Sequence, residues 1–337
     1  MAFNIQQAET DVAGAVGAAP AEGAAKKIEG RSPWRLAWER LRRDRAAMVS
    51  LGVIVFIVLV AIFAPVIAAI VGHGPNQQFR GPNPPLGLVI GQLGIPKPVG
   101  PSASFWFGAD DQGRDIFIRV IYGARISLIV GVAATAVTVA GGLVIGLAAG
   151  YFGGIVDSLL ARFMDWLLAV PFYLFAISLV SVVLVHPIGP IGPGLPVVII
   201  VLGFFGWAAV GRIVRGQVLS IREKEYIEAA RALGAKPWRI MFVDILPNLL
   251  APLIVYATLL IPLNIVGEAS LSFLGVGIQD PTADWGKMIA DSSSLFEYGP
   301  WWYLVFPSLA LLLTTLAFNI FGDGVRDAFD PRGGPFV

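Results

Sequence analysis

Long runs without a charged residue alternate with short polar segments along this chain. Five runs cover at least 20 residues each, and a sixth covers 15. About 20 apolar residues form a helix long enough to cross a bilayer, so five runs qualify alone. The five are residues 46–71, 126–156, 166–185, 245–267 and 298–322, and the shorter one is 196–210.

The shorter run joins its neighbour in a 46-residue stretch, residues 166–211, that lacks Lys, Arg, Asp and Glu. Residues 186–194 interrupt this stretch with closely spaced Pro and Gly, which end one helix and begin another. The stretch therefore predicts two spans. We expect an all-α integral membrane protein with six transmembrane helices.

Composition and charge support this class and set an orientation. Hydrophobic residues make up 56% of the chain and charged residues 14%, whereas a soluble domain has about 25% charged residues. With the N-terminus inside, 18 of the 24 Lys and Arg residues fall on the inner side, as the positive-inside rule requires. Both termini are therefore predicted to be cytoplasmic. The absence of cysteine excludes disulfides and cysteine-ligated metals.

The polar segments divide the chain into three parts. Residues 1–30, rich in Ala and Gly with scattered charges, predict a disordered cytoplasmic tail. Residues 31–125 form an N-terminal region with the first span, and residues 126–337 form a core with the other five. Between the first and second spans, the Gly- and Pro-rich residues 72–107 predict an outside loop with little regular structure.

Two amphipathic helices are predicted in the N-terminal region. Trp34, Trp38 and Leu41 recur at helical spacing opposite charged side chains. This pattern indicates either a short helix on the inner membrane surface or an ordinary positive flank. Further along, an apolar face that includes Ile116 lies opposite Arg119, which predicts a helix leading into the second span.

Small residues are frequent in the second span. They let helices approach closely in lipid, where apolar burial supplies little driving force. The pattern predicts a packing face inside the bundle or at a subunit interface, although general membrane composition also produces it. The glycines are Gly131, Gly141, Gly142, Gly146 and Gly150.

Residues 211–247 form the longest inner loop between spans, and they predict a helix–turn–helix. Ser220 and Glu223 have the spacing of a capping box at a helix start. Gly234 can end that helix in the left-handed conformation. Pro237 suits the first turn of a second helix, because its missing N–H needs no partner there.

One face of the first helix in this loop is small and apolar. It carries Tyr226, Ala229, Ala230 and Leu233 at positions i, i+3, i+4 and i+7, with charged residues around it. Such a face suits a knob for a groove in another protein, or a helix packed on the chain's own span ends. Periodicity alone leaves both interpretations open.

The same loop resembles the EAA motif of importer-type ABC transporter permeases. Glu228-Ala-Ala230 is followed by Gly234 and then by Leu246-Pro247, although Asp244 stands where the general pattern has an aliphatic residue. In that family the segment is the coupling helix, which docks on a cytoplasmic ATPase subunit. The resemblance implies that the ATPase contact consists of Tyr226, Glu228, Ala229, Ala230, Arg231, Leu233 and Gly234.

Other motifs extend the resemblance over almost the whole chain from about residue 32. They are similar to motifs of the "C" permease subunit of dipeptide and oligopeptide importers. They include Phe107-Gly-Ala-Asp-Asp-Gln-Gly-Arg-Asp115, Tyr122-Gly-Ala-Arg-Ile-Ser-Leu128, Glu268-Ala-Ser-Leu-Ser-Phe-Leu-Gly275 and Trp285-Gly286.

The resemblance implies a type I ABC importer permease in a prokaryotic cell membrane. A homologous second permease would form the other half of the pathway, two ATPase subunits would bind below, and an extracytoplasmic binding protein would deliver a peptide above. The chain has no G-x-x-x-x-G-K-[ST] loop for ATP phosphates. We therefore expect no catalysis and no bound cofactor in this chain, ATP use in the partner subunits, and no nucleic-acid partner.

Three alternatives accompany this interpretation. The family also handles nickel complexes and other small solutes. An ion-coupled secondary transporter would favour ionisable residues in mid-span and inverted repeats, and the charge-free runs argue against it. A membrane scaffold without transport would not require both an outside loop and an inside docking helix.

Few ionisable residues lie near the spans. Glu268 borders the fifth span and is a candidate outer-gate residue, because charges at membrane depth are commonly functional. His73 and His186, at span ends, are interpreted as loop residues. Asn264 and Asn319 lie within spans and are expected to hydrogen-bond between helices.

Overall fold

The computed structural model describes residues 33–80, 85–90, 96–186, 194–293 and 299–330, so the predicted tail, residues 1–30, lies outside them. Within the described residues the chain is mostly helical, with one two-stranded sheet. The elements are α1 (Pro33–Leu41), α2 (Arg45–Ile62), α3 (Ala64–Val71), β1 (Leu88–Ile90), β2 (Pro96–Pro98), α4 (Ile116–Phe152), α5 (Gly154–Ala169), α6 (Phe172–Val185), α7 (Leu195–Arg222), α8 (Glu225–Ala232), α9 (Pro237–Phe273), α10 (Trp285–Ser293) and α11 (Trp301–Phe329).

Five helices, α2, α4, α7, α9 and α11, are long and apolar enough to cross a membrane. Helices α5 and α6 are long and apolar enough only when they are taken together, and they are bent by 85° at their junction. Pro171 explains the bend, because its ring disfavours helical backbone at the preceding Val170, which is extended. The described residues therefore hold five candidate spans, or six if the bent pair is one span.

Helices α4 and α7 pack on each other through glycine. The buried glycines of α4 leave room only for backbone and β-branched side chains of α7, which brings the two helix axes close together. A Cβ added to Gly142, Gly146 or Gly150 would lie 2.6, 2.5 or 2.6 Å from an atom of Val210, Gly211 or Val218, respectively. The predicted packing face is confirmed, and it lies inside the bundle.

The order of these contacts makes α4 and α7 parallel, since residue numbers rise together along both helices. At the last turn, Arg222 Nη1 donates to the carbonyl oxygens of Gly150 and Tyr151, both at 3.2 Å. Because α4 and α7 are parallel, α7 begins at the end of the bundle opposite to the end of α4. The bent pair α5 and α6 lies between these two helices in the chain.

Helices α2 and α11 are antiparallel and bring the two ends of the described chain together. Near the end of α11, Gly324 leaves no room for a side chain beside Ala47, in the first turn of α2. Helix α1 packs on the same part of α11, where Arg40 Nη1 donates to the Asp330 carbonyl at 2.8 Å. We call this the terminal end of the bundle.

Helix α1 forms where the amphipathic pattern predicted it. Ala37 and Leu41 are buried, whereas Trp34 and Trp38 are about half exposed. The Trp34 ring meets Phe329 edge-on, with 5.2 Å between ring centroids. The segment is thus a helix packed on α11 and not merely a charged flank.

The opposite end of the bundle, here called the loop end, carries the described residues between α3 and α4 and between α9 and α11. Strands β1 and β2 pair there in antiparallel register, with Val89 opposite Lys97. These six strand residues agree with the prediction of little regular structure in this loop, but the strands themselves were not predicted. Three-residue strands are too short for alternation of polar and apolar residues to reveal them.

Helix α4 is longer than the second predicted span. Asp115 caps it, accepting from the Phe117 N–H at 2.9 Å, and the helix then continues unbroken for 37 residues. The predicted boundary at residue 125 falls inside it. The polar side of its first turns is covered, since Arg119 is only 1% exposed and donates to the Pro75 and Pro281 carbonyls. Periodicity could not show that loop segments fold over this side.

Replacing Gly146 by Ala should loosen the pairing of α4 with α7. The new methyl would meet the Gly211 carbonyl oxygen at 2.5 Å, and such overpacking costs about 1–3 kcal/mol. The thermal unfolding midpoint of the purified chain in detergent should therefore fall. Gly52→Ala is the matched control, because no atom lies within 4 Å of a Cβ added there. Equal midpoints for the two variants would contradict the packing role of Gly146.

Candidate functional site

Helix α8 is the short polar helix predicted in the long inner loop, but it starts later than expected. It begins at Glu225, with extended Lys224 at the N-cap. The predicted capping box of Ser220 and Glu223 is wrong, because α7 continues through Ser220 to Arg222. Buried apolar residues of α7, including Val218 and Ile221, keep the chain helical at Ser220, and an N-cap requires extended backbone there.

The end of α8 is the predicted one. Gly234 has φ of +79°, which a side chain would strain. Its N–H bonds to the Arg231 carbonyl at 2.9 Å, and the Ala235 N–H bonds to the Ala230 carbonyl at 3.0 Å. These two bonds form a complete Schellman motif. The turn after α8 therefore has one defined geometry.

The predicted contact residues of α8 point outward. Ile227 is fully buried in an apolar cluster with residues of α7 and α9, and it anchors the helix to the bundle. Leu233 is 88% exposed and Tyr226 is 46% exposed. We call the following set the docking surface: Tyr226, Glu228, Ala229, Arg231, Leu233 and Gly234, which are exposed, with Ala230, which is half-buried.

Helix α9 begins at Pro237, as predicted, and its second turn is π-helical and not α-helical. Residues Ile240–Ile245 form a π-helix just before Leu246 and Pro247. Pro247 has no N–H, and its ring crowds the carbonyl four residues earlier, which favours a wider turn. The helix then continues to Phe273, so α9 joins the docking surface to the loop end.

Two exposed aromatic residues extend the apolar area next to the docking surface. Trp238 and Phe242 stack with 5.7 Å between ring centroids, and they are 66% and 50% exposed. Neither belonged to the predicted contact. Their i, i+4 spacing with polar neighbours was the signal that could have indicated them.

Glu268, the candidate outer-gate residue, is fully buried at the loop end of α9. Its carboxyl accepts from Ser127 Oγ at 3.3 Å and from Ser272 Oγ at 2.9 Å. Ser127 belongs to α4, so Glu268 holds α9 against α4. The predicted hydrogen bond of Asn264 is confirmed nearby, since Asn264 Nδ2 donates to Thr135 Oγ1 of α4 at 2.9 Å. Asn319 is exposed on α11.

Asp284 is the partner of Glu268 that sequence reasoning missed. The two carboxyls are in side-chain contact, and Asp284 is also fully buried. Its Oδ2 accepts from the Lys287 N–H at 2.9 Å, whereas its Oδ1 has no donor among the described residues. Burial raises the pKa of Asp284 above its ordinary value. Two carboxyls this close repel each other when both are ionised, so we expect the pair to share one proton.

Glycines bring three of the recognised motifs together around this carboxyl pair. Trp285 is buried against Gly123, and its Nε1 donates to the Val120 carbonyl at 2.9 Å. Gly286 lies directly on the backbone of Ala269. The motifs that begin at Tyr122, Glu268 and Trp285 therefore form one packed unit.

Buried ion pairs tie the two loop-end segments to each other. Arg114 Nε donates to Asp110 Oδ2 at 2.5 Å, and its Nη1 donates to Asp280 Oδ1 at 3.0 Å.

His73 is a buried loop residue whose Nδ1 lies 2.6 Å from Asp115 Oδ2. Burial raises the pKa of Asp115, and the contact with His73 opposes that rise. His186 is exposed.

The two regions differ in chemistry. Among the described ranges, no group of three or more His, Asp or Glu side chains is placed to hold a metal ion. The docking surface is exposed and mixed in polarity, as suits a protein partner. The carboxyl pair is enclosed and positions α4, α9 and the segment before α10.

The fold and these two regions define a multi-pass membrane protein with an exposed short helix at one end of its bundle and a packed loop end at the other. A family model described as "Binding-protein-dependent transport system inner membrane component" matches residues 142–333. A second, "N-terminal TM domain of oligopeptide transport permease C", matches residues 32–85. The chain belongs to this family of inner membrane permease components of ABC importers, which confirms the resemblance seen in its motifs.

Curated relatives cover nearly the whole chain. A dipeptide transport system permease protein of Alkalihalophilus pseudofirmus is 42% identical over 301 residues, 89% of this chain and 90% of that protein. An oligopeptide transport system permease protein of Bacillus subtilis is 40% identical over 317 residues, 94% of this chain and 95% of that protein. The oligopeptide transport system permease protein of Escherichia coli K12 is 38% identical over 306 residues, which cover 91% of this chain and 93% of that protein.

Replacing Asp284 by Asn should flatten the pH dependence of stability. A raised folded-state pKa means that the fold holds a proton that the unfolded chain releases. Stability of the native chain should therefore decline as pH rises from the ordinary carboxyl range through the raised pKa of Asp284. The Asn amide can donate to Glu268 without a shared proton, so this decline should shrink.

The measurement is the thermal midpoint of the purified chain across that pH range. Asp291→Asn is the control, since Asp291 is partly exposed beside Lys287 on the same segment. A pH profile for Asp284→Asn that matches the native profile would contradict the shared proton.

Proposed function

We propose that this chain forms one half of a transmembrane pathway through which an ABC importer moves peptides. A homologous second permease forms the other half, and an extracytoplasmic binding protein delivers the peptide at the loop end. Two ATPase subunits dock at the terminal end and hydrolyse ATP, and this chain binds no cofactor itself. The docking surface on α8 is the observation that carries this proposal.

The exposure of α8 supports a protein partner there. A leucine that is 88% exposed costs free energy in water, and a groove in a partner would recover about 1.5–3 kcal/mol by burying it. The Schellman turn at Gly234 and the buried Ile227 fix the position of α8 relative to α7 and α9. Such a helix can transmit a displacement of the ATPase pair to α7 and α9, the helices that Ile227 contacts. Coupling requires that ATP and substrate each favour one of the two states.

The helix directions support six spans with both termini in the cytoplasm. Helix α1 and the end of α11 meet at the terminal end, which supports an even number of crossings. Parallel packing of α4 and α7 supports a crossing by the bent pair between them. The terminal end also carries Arg222, Arg231 and Arg239, in keeping with the positive-inside rule.

A groove near the carboxyl pair supports a peptide pathway that passes along α9 at the loop end. It has a volume of about 460 Å³ and lies on the side of α9 opposite Glu268. It is lined by aromatic, aliphatic and hydroxyl side chains, a mixture that suits peptides of varied sequence. Near-equal identity to dipeptide and oligopeptide permeases supports peptides as the substrate class. Residues on its wall include Tyr173, Val266, Ser270, Phe273 and Ile289.

Replacing Gly234 by Asp should abolish ATPase association and ATP-driven uptake while the chain still inserts. The substitution strains the Schellman turn and adds a charge to the docking surface. Gly275→Asp is a close control, because Gly275 has φ of +82° and makes the same pair of bonds at the loop end of α9. Co-purification of the ATPases and uptake in vesicles are the measurements. Normal uptake by the Gly234 variant would refute the docking role.

Cysteine labelling should place the two ends of the bent pair on opposite sides of the membrane. The chain has no native cysteine, so Ile155→Cys and His186→Cys each introduce a single thiol. A membrane-impermeant maleimide should label residue 186 in intact cells and residue 155 only after permeabilisation. Labelling of both from one side would mean that α5 and α6 form a re-entrant loop and that the chain has five crossings.

A further inference from the structure

A groove on the outer surface of the bundle lies apart from the docking surface and the carboxyl pair. Helices α2, α4 and α11 enclose it, and its volume is about 590 Å³. Its walls are apolar apart from one residue, and they include Ile62 of α2, Val132 of α4 and Phe318 of α11. Ile62 and Val132 are 61% and 54% exposed. The groove therefore opens toward the surroundings of the bundle.

Arg125 is the one charged residue on the wall of this groove. It is half-buried, and its guanidinium lies 5.8 Å from the ring centre of Tyr122. No carboxylate among the described residues pairs with it, whereas Arg114, Arg119 and Arg215 all have acidic partners. A cation at the membrane margin without a counter-ion favours a negatively charged ligand.

The depth of Arg125 matches a lipid headgroup. It immediately precedes the charge-free run of α4, which begins at residue 126. Aromatic and cationic side chains such as Tyr122 and Arg125 occupy the level of the headgroups at membrane boundaries. From Arg125 the groove continues along α4 to Val132 and Ala133. Seven residues of helix cover about 10 Å, which places Val132 among the acyl chains.

We propose that this groove binds one anionic phospholipid, with its phosphate on Arg125 and an acyl chain along Leu128, Val132 and Phe318. A lipid satisfies both parts of the site, since its charge pairs with the guanidinium and its chain fills the apolar walls. A partner helix would have to supply a carboxylate at the depth of Arg125 to do the same. The bound lipid would join α2 to α4 and α11, so it would stabilise the position of the N-terminal span on the core.

The test uses the full chain assembled with its partner subunits and purified in mild detergent. The thermal midpoint is measured with added phosphatidylglycerol and with phosphatidylcholine of the same acyl chains. We expect phosphatidylglycerol to raise the midpoint of the native complex more than phosphatidylcholine does. Arg125→Ala and Ala133→Trp should both lose this difference, the first by removing the cation and the second by filling the groove.

Two further variants guard against effects of misfolding. Arg125→Lys keeps the charge and should retain the response to phosphatidylglycerol. Arg162→Ala removes an exposed arginine of α5 outside the groove and should also retain it. An undiminished response in Arg125→Ala would overturn the proposal. So would efficient cross-linking of Val132→Cys to a partner subunit, because a protein would then fill the groove.

Discussion

Close contact between α4 and α7 is the constraint on which the rest of this bundle depends. In lipid, helices gain little from burying apolar side chains, so dispersion contacts between closely spaced backbones must hold them. The glycines at positions 142, 146 and 150 permit that spacing along three successive turns. Because the two helices are parallel, both end at the same end of the bundle. The same arrangement delivers the end of α7, and with it α8, to the terminal end.

The two ends of the bundle solve different physical problems. At the terminal end, a short helix keeps one apolar side chain inside and presents the others outward, which suits a partner that binds from water. At the loop end, charged groups are removed from water and must compensate one another. Arg114 and Asp110 do so by opposite charge. Glu268 and Asp284 are expected to do so by sharing a proton. Replacing one member of the Arg114–Asp110 pair would leave the other charge buried without that partner, which is strongly unfavourable.

Much of this organisation could be predicted from local pattern. Charge-free runs located the five long helices, but the run over residues 166–185 contains the bend at Pro171 and not one continuous helix. Glycine spacing located the central contact, and Gly234 and Pro237 located one helix end and the next helix start. Prediction failed where distant contacts override local preference. Ser220 has the residue type and spacing of a helix cap, yet buried neighbours in α7 keep it helical. Arg119 belongs to a polar face that another segment covers.

The carboxyl pair shows the same limit most clearly. Glu268 was noticeable at the margin of a span, but its partner lies 16 residues later, in a loop with no periodicity. Distant contacts, such as the packing of Gly286 on Ala269 and of Trp285 on Gly123, bring Asp284 beside it. The strands β1 and β2 were missed for a related reason, since three residues carry too little alternation to be recognised.

The π-helical turn at Ile240–Ile245 gives α9 a property that a regular helix would lack. Helix α9 covers 37 residues, or about 55 Å, and reaches from the docking surface to the carboxyl pair without a loop. Each residue of an α-helix turns the chain by about 100°, so the one extra residue in a π turn sets the rotational phase between the two ends. Removing a residue there would leave both ends folded but would rotate Glu268 away from α4 relative to α8. The wide turn therefore determines which direction Glu268 faces around the α9 axis when α8 is held in place.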